Sequence, residues 1–428
     1  MIPPVASSDS FLCDCGIEQQ TGRLVSVAVA LKRGLALAEP VVETERLPLD
    51  RAHSRVLAQP VRASCALPIF DNSAMDGYAV RLDDFAGNGP WRLPVAGRVA
   101  AGDAGAAELP PGAAFRIFTG ALVPQGCDAV VAQEKVRMEG RAIRLDRRPR
   151  WGENVRRAGE DLAAGTEIMP AGRRIGPRVA TLLASIGCGD VTVRRRLRVA
   201  FFSTGSELRD AGASLSPGQI WNANRSLLQG ALALPWIEAI DIGPVPDRPA
   251  RLREALERAA READLVVSTG GVSVGDEDHM PAVLSAAGGT VQVMKVAMKP
   301  GKPLMIGRIG EALYLGLPGN PVAAFVCWHV IGARIAEVSA GITEGGTRRM
   351  IVRAGFERVR QPGRCEFLPV RLGDYDGHGV RTVAVTALDV SHRVALLAQA
   401  DGLLLIPSET DRIRHDDMLE FIPFGDGA

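Results

Sequence analysis

Apolar residues recur at three- and four-residue spacing from Val25 to about Leu57, which predicts helix, with Leu49–Leu57 as a short second helix ended by Pro60 and Pro68. Between about Val61 and Arg157 the texture changes to short β-prone runs, Trp91–Val95, Ala114–Phe118 and Ala129–Ala132, punctuated by Gly and Pro. Helical spacing returns at Pro177–Ile186, so residues 61–157 read as a mostly β insertion in a helical/extended unit made of 25–60 with 158–196. From Leu197 the pattern alternates. Strands are expected at Val199–Phe202, Ile237–Ile242, Leu265–Ser268, Val291–Val296 and Ala312–Leu315, and helices at Pro249–Glu262 and Val322–Val338. That alternation predicts a three-layer α/β domain over 197–345 with a parallel-rich sheet, whose ligands sit beyond the carboxyl ends of the strands. Short strands at Phe367–Leu372, Val380–Thr386, Gly402–Ile406 and Met418–Ile422 predict a small β-barrel-like domain over 346–428. The expected fold class is therefore multidomain α/β, with residues 1–24 as a tail.

Composition narrows the partners. A chain of 428 residues exceeds one hydrophobic core, and 46% apolar with 23% charged residues is a globular balance. Net charge is only +1, so nothing draws the chain to nucleic acid or anionic membrane, and an anionic ligand must be held by a local arrangement. Small-molecule partners are expected. Seven scattered cysteines without CxxC pairs fit a reducing, cytoplasmic compartment, and Cys13 and Cys15 in the tail read as free thiols. The first twenty residues do not read as a signal peptide. The apolar stretch Pro321–Ile342 carries His329, Arg334 and Glu337, which predicts a buried helix and no membrane span.

Five segments carry candidate chemistry. Ser203-Thr204-Gly205-Ser206-Glu207-Leu208 follows an apolar strand; its glycine and hydroxyls suit an anion approached by backbone N–H groups, and Glu207 offers oxygen to a phosphate-bound Mg²⁺. A capping box, Thr204 as N-cap and Glu207 at the third helical position, is the plainer reading. Ser268 to His279 repeats the theme with Gly270, Gly271, Ser273 and Gly275, then Asp276, Glu277 and Asp278: a phosphate cradle leading into a cation site, or an ordinary glycine-rich turn before an acidic helix start. Lys295, Lys299 and Lys302 lie within eight residues around Pro300, Gly301 and Pro303, where a compact oxyanion is the natural guest and a solvated basic loop the alternative. Gly316-Leu317-Pro318-Gly319-Asn320-Pro321 joins strand to helix, with Asn320 at the cap and Pro321 at the first helical position. Finally, Phe70-Asp-Asn-Ser-Ala-Met-Asp-Gly-Tyr-Ala-Val80 opens the β module with Asp71 and Asp76, and Asp76-Gly77 favours a tight turn. The P-loop and HExxH patterns do not occur.

Taken together, Asp71–Val80, Thr119–Pro124, Ser203–Leu208, Ser268–His279, Lys299–Pro303 and Leu317–Pro321 occur in the order and spacing of the molybdopterin molybdenumtransferase (MoeA, or gephyrin E-domain) family, which the chain resembles from about residue 25 onward. The resemblance implies an α/β domain that binds molybdopterin, and a reaction in which adenylylated molybdopterin and molybdate give molybdenum cofactor and AMP with Mg²⁺ present. It implies a homodimer whose cleft takes Asp76, Thr119, Arg156 and Asp161 from one subunit and Glu207, Asp247, Asp278, Lys295 and Lys299 from the other. Ser203, Thr204, Gly205, Ser268, Gly270, Gly271, Ser273, Gly275, Pro318, Gly319, Asn320 and Pro321 would bind the pterin nucleotide. Molybdate would fall to Lys299, Lys302, Pro303, Arg364 and Ser391, and Mg²⁺ to Asp276, Asp278 or Glu207. Contacts with the adenylyltransferase and other molybdenum cofactor proteins are further expectations. One departure is Ala323, where the family often has serine. Two other readings are an adenylyltransferase-like enzyme, against which the extra β modules argue, and a non-catalytic gephyrin-like scaffold, for which no long linker is found.

Overall fold

The computed structural model describes residues 24–103, 108–272, 279–346, 348–385 and 393–425. At its centre is a six-stranded sheet: β1 (Leu197–Thr204), β2 (Ile237–Val245), β3 (Leu265–Thr269), β4 (Thr290–Lys295), β5 (Pro303–Ile309) and β6 (Ala312–Leu317). The order is β2-β1-β3-β6-β5-β4. The pairings among its first four strands are parallel and the last two pairings are antiparallel, so that β5 alone runs against the rest. The parallel-rich expectation holds where crossover helices separate the strands. It gives way at β5 because only Gly310 and Glu311 lie between β5 and β6, and a two-residue link can join only antiparallel neighbours. β1, β3 and β6 are almost wholly apolar and buried, as strands covered on both faces must be.

One face is covered by the Pro249–Glu262 helix, whose Leu252, Ala255, Leu256 and Ala259 pack on Ala200, Phe202, Val266 and Tyr314. Its solvent side pairs Arg253 with Glu257 and Arg258 with Glu262. The other face is covered by the Val27–Leu35, Ala223–Ala231 and Pro321–Ser339 helices. The last of these is long and apolar enough to cross a membrane, yet is mostly buried inside the protein, as its interrupting charges predicted.

The helical expectation for Val25–Leu57 is corrected in two places. Helix occupies only Val27–Leu35, and Thr44–Pro48 is a strand paired antiparallel with Asp190–Arg194. Leu49–Leu57 is not a second helix; a single 3₁₀ turn spans Leu49–Arg51. Thr44, Glu45 and Arg46 alternate exposure with period two, and the proline at 48 ends the run, so the strand's ladder with 190–194 overrides the weak helical spacing. Ala52, Leu57, Ile175, Val179, Leu183, Val191 and Val193 then share one small core on both sides of the β module.

The β module is a six-stranded half-barrel running Ala129–Ala132, Gly77–Val80, Ala114–Ile117, Trp91–Val99, Ala142–Leu145 and Arg137–Glu139. The C-terminal strands Cys365–Tyr375, Arg381–Ala384, Met350–Ala354, Met418–Pro423 and Gly402–Ile406 close on themselves, since the last pairs back with the first. This five-stranded barrel encloses Val352, Leu368, Leu404 and Phe421.

Candidate active site

The β-sheet register decides which turns meet. Ser203 of β1 is paired with Thr269 of β3, and Thr269 with Leu317 of β6. Met305 of β5 is paired with Gly316, so Pro303, two residues earlier on an antiparallel strand, lies at the same sheet edge. The Ser-Thr-Gly turns after β1 and β3, the Leu-Pro-Gly-Asn turn after β6 and the lysine turn before β5 therefore open on one crevice.

Within it the hydroxyls divide into two sets. Ser203 Oγ accepts from Thr269 Oγ1 at 3.0 Å, and Ser268 Oγ lies 2.5 Å from Tyr314 Oη, all fully buried, so these hydroxyls lock the strands together. Burial and the loss of the phenolate's hydration push Tyr314 well above the ordinary tyrosine range. The N–H groups of Gly205 and Gly270 are likewise spent on Val245 O and Leu317 O. The glycines act through what they lack: a Cβ on Gly270 would stand 2.7 Å from Thr204 O and 2.8 Å from Thr204 Oγ1, at a φ of +91°. The chain after β1 does not enter a helix, so the capping-box reading of Thr204 and Glu207 falls; it turns into Leu208–Arg209, which pairs with Ile220–Trp221. At that turn Asp247 is tied to Ser206 by reciprocal bonds, Ser206 N to Asp247 Oδ2 and Asp247 N to Ser206 Oγ, each 3.3 Å. Glu207 is exposed beside them.

Three buried side-chain atoms around these turns have no hydrogen-bond partner among the described residues: Thr204 Oγ1, Asn222 Nδ2 and Asn224 Oδ1. Asn224 Nδ2 donates to Gly319 O at 2.7 Å, which braces the turn after β6, and Asn222 caps the Ala223–Ala231 helix through Arg225 N. Such atoms are costly unless a ligand or solvent meets them. Sequence reasoning missed both asparagines. Their signal was polar residues at the start of a helix whose other inward positions are apolar. Asn320 caps its helix as expected, accepting from Val322 N and Ala323 N, with Pro321 at the first position and Pro318 buried.

The lysine turn folds against two neighbours. Gly301, at φ +104°, leaves room for Cys327, whose Sγ a Cβ would meet at 2.5 Å. Met298–Lys299 runs parallel to Cys365–Glu366 of the barrel, and Lys299 Nζ lies 3.3 Å from Glu366 Oε1. Lys295 and Lys302 are exposed, Pro303 half-buried. Thus the three ammonium groups are not equivalent: one is engaged by a carboxylate and two face solvent. Arg364 stands immediately before that barrel strand.

In the β module, Asp76 Oδ1 accepts from both Thr119 N and Thr119 Oγ1 at 2.8 Å, and these bonds, the backbone one first, hold its carboxyl below the ordinary aspartate range. Gly77 makes no tight turn; it begins a strand, and a Cβ there would lie 2.1 Å from Val131 O. Arg156 is paired with Asn72 in a short ladder, and Asp161 N donates to Leu67 O. Asp71 receives Ala158 N at 2.8 Å and Arg157 Nη1 at 2.5 Å, which lower its carboxyl in that order. This group thus forms its own surface within residues 61–161. Ser273, Gly275, Asp276, Asp278 and Ser391, like the tail cysteines, lie outside the described residues. No group of three or more His, Cys, Asp or Glu that could hold a metal occurs among the described residues.

Sheet, crevice and flanking β modules define a multidomain α/β protein with its polar turns gathered at the carboxyl edge of a mostly parallel sheet. Family models match in order along the chain: the MoeA N-terminal region (domain I and II) over residues 25–187, the probable molybdopterin binding domain over 200–337, and the MoeA C-terminal region (domain IV) over 351–424. A molybdopterin molybdenumtransferase of Haemophilus influenzae is 42% identical over 288 residues, which cover 67% of this chain and 70% of that protein. Molybdopterin molybdenumtransferase 2 of Mycobacterium tuberculosis is 36% identical over 386 residues, 87% of this chain and 93% of that protein. The solved structure of a molybdopterin biosynthesis moeA protein from Pyrococcus horikoshii is similar with a TM-score of 0.80 at 27% identity, over 94% of this chain and 100% of that one. The chain belongs to the molybdopterin molybdenumtransferase family.

Proposed function

We propose that this chain inserts molybdate into adenylylated molybdopterin with release of AMP. The observation that carries the reading is the convergence of two glycine turns, the Asn224-braced turn and the lysine turn on one crevice, where three buried polar atoms lack protein partners. Asn222 Nδ2 offers a donor and Asn224 Oδ1 an acceptor, a pair suited to the polar edge of a heterocycle or ribose. Gly270 and Gly271 let the turn after β3 lie against Thr204 and Met280, where any side chain would crowd it. Lys299, Lys302, Pro303 and Arg364 would hold the oxyanion, with Ser391 as a further candidate from the sequence. Asp76, Thr119, Arg156 and Asp161, whose contacts stay within their own module, fit a role contributed by one subunit of a homodimer to its partner's crevice.

Glu207 and Asp247 place carboxylate oxygens at the turn after β1, and a hard cation that shares its shell with substrate phosphates needs only one or two of these. The donor set therefore fits Mg²⁺, with Asp276 and Asp278 as further candidates. When bound, Mg²⁺ offsets the charge that develops on phosphate oxygens as the anhydride breaks. The protein's own part is to orient the nucleotide, keep the oxyanion beside the pterin and exclude bulk water.

The test incubates the purified protein with adenylylated molybdopterin and Mg²⁺, with and without molybdate, and follows AMP chromatographically. AMP release that requires molybdate is expected. Consumption of ATP to adenylylate molybdopterin, with no molybdate-dependent AMP, would favour the adenylyltransferase reading.

A further inference from the structure

The seam between the lysine turn and the barrel holds an unusual charge group. Glu366 is 3% exposed, and its carboxylate faces three cations. Oε1 accepts from Arg358 Nη2 at 2.9 Å and lies 3.3 Å from Lys299 Nζ, while Oε2 lies 3.5 Å from Arg360 Nε. Arg358 and Arg360 are themselves 9% and 7% exposed at the side chain, whereas Lys299 is 36% exposed and is the member that reaches the crevice. Arg360 also donates to Pro407 O at 2.6 Å, to Thr410 O at 2.9 Å and to Arg364 O, so it clamps the corner from which Arg364 projects. The backbone reinforces the same seam: Cys365 N donates to Ala297 O at 2.9 Å, and Lys299 is in register with Glu366.

Burying two guanidinium groups around one carboxylate is poor as a device for stability, because desolvation of each charge is only partly repaid. The arrangement makes sense if it serves placement. A lysine on a flexible four-carbon stem loses much rotamer freedom when it binds an anion, and a fixed carboxylate meets that cost in advance. We propose that Glu366 is a positioning residue of the oxyanion subsite: one buried carboxylate sets Lys299 directly and Arg364 through Arg360. This rests on the function proposed above. Glu366 takes no part in the chemistry and touches no substrate atom.

The test measures molybdate binding calorimetrically, apart from turnover, and the KM values for molybdate and for adenylylated molybdopterin, in the wild type, Glu366→Gln, Lys299→Met and the double variant. Glu366→Gln keeps the volume and removes the charge. It is expected to weaken molybdate binding and raise its KM by about tenfold or more, while the KM for the pterin nucleotide stays within about twofold. Because Glu366 acts largely through Lys299, the double variant is expected to be little worse than Lys299→Met alone. Should Glu366→Gln fail to fold, Glu366→Asp still balances the arginines but draws the carboxylate back by one methylene, and a rise of about threefold in the molybdate KM is expected. Wild-type molybdate affinity in the folded Glu366 variants, or fully additive effects with Lys299→Met, would overturn the proposal and leave the transferase reading intact. A wild type that neither binds molybdate nor releases AMP would overturn both.

Discussion

His329 shows how a residue can be decided by its surroundings and still have no part in the site. It lies on the buried Pro321–Ser339 helix, stacked on Phe325 at 5.6 Å and edge-on to Phe424 at 5.3 Å, with Nε2 buried and unpartnered among the described residues. Burial disfavours the charged ring and pushes its pKa down to about 4. The unfolded chain takes up a proton near pH 6.5 and the folded one near 4, so the stability contributed is full above 6.5 and is lost as pH falls through that window. The loss amounts to about 3 kcal/mol. His329→Phe is expected to flatten this part of the stability curve, measured by denaturant unfolding at pH 7.5, 6, 5 and 4. An unchanged slope between pH 6.5 and 4 would mean that the ring is hydrated in the folded state.

At the scale of elements, much of the architecture was legible because burial and period agreed. Pro249–Glu262, Ala129–Ala132 and Gly402–Ile406 fall where spacing placed them, and Asn320-Pro321 begins its helix by the expected cap. The failures share a cause: non-local pairing. Thr44–Pro48 is a strand only because Asp190–Arg194, far along the chain, supplies its ladder, and Thr204–Glu207 lacks its helix because Leu208–Arg209 finds Ile220–Trp221. The candidate site was legible as turns but not as atoms. Nothing in Ser203 or Ser268 announces that their hydroxyls would face Thr269 and Tyr314, and the lysine cluster gave no hint that Lys299 would meet Glu366 from another domain. Gly301 carries the turn's geometry. Gly301→Ala forces a side chain into positive φ and against Cys327 Sγ, so a destabilisation of about 1–3 kcal/mol is expected. Chemical denaturation reads it, and the KM for molybdate should rise in parallel. A variant as stable as the wild type would show that the turn relaxes freely.

Taken whole, the molecule has several cores, and the largest runs from the central sheet into the barrel through Phe367, Leu403, Leu405 and Ile422, with polar seams beside it. The Val27–Leu35 helix packs on the central sheet, with Gly34 closing on Ile335 and Ile306. Thr343 N donates to Gly172 O, linking the end of the α/β domain to the segment after the β module. The seam of Lys299 and Glu366 ties the crevice to the barrel. On the proposed function, nucleotide, pterin and oxyanion would each meet a wall from a different domain. On the same reading, nucleotide release and metal capture are one event in one crevice. The most direct measurement is a single turnover with limiting adenylylated molybdopterin, counting molybdenum retained with the pterin against AMP released. The two are expected to rise together in equal amounts; AMP released without molybdenum capture, or capture with the nucleotide still attached, would show that they are separate events.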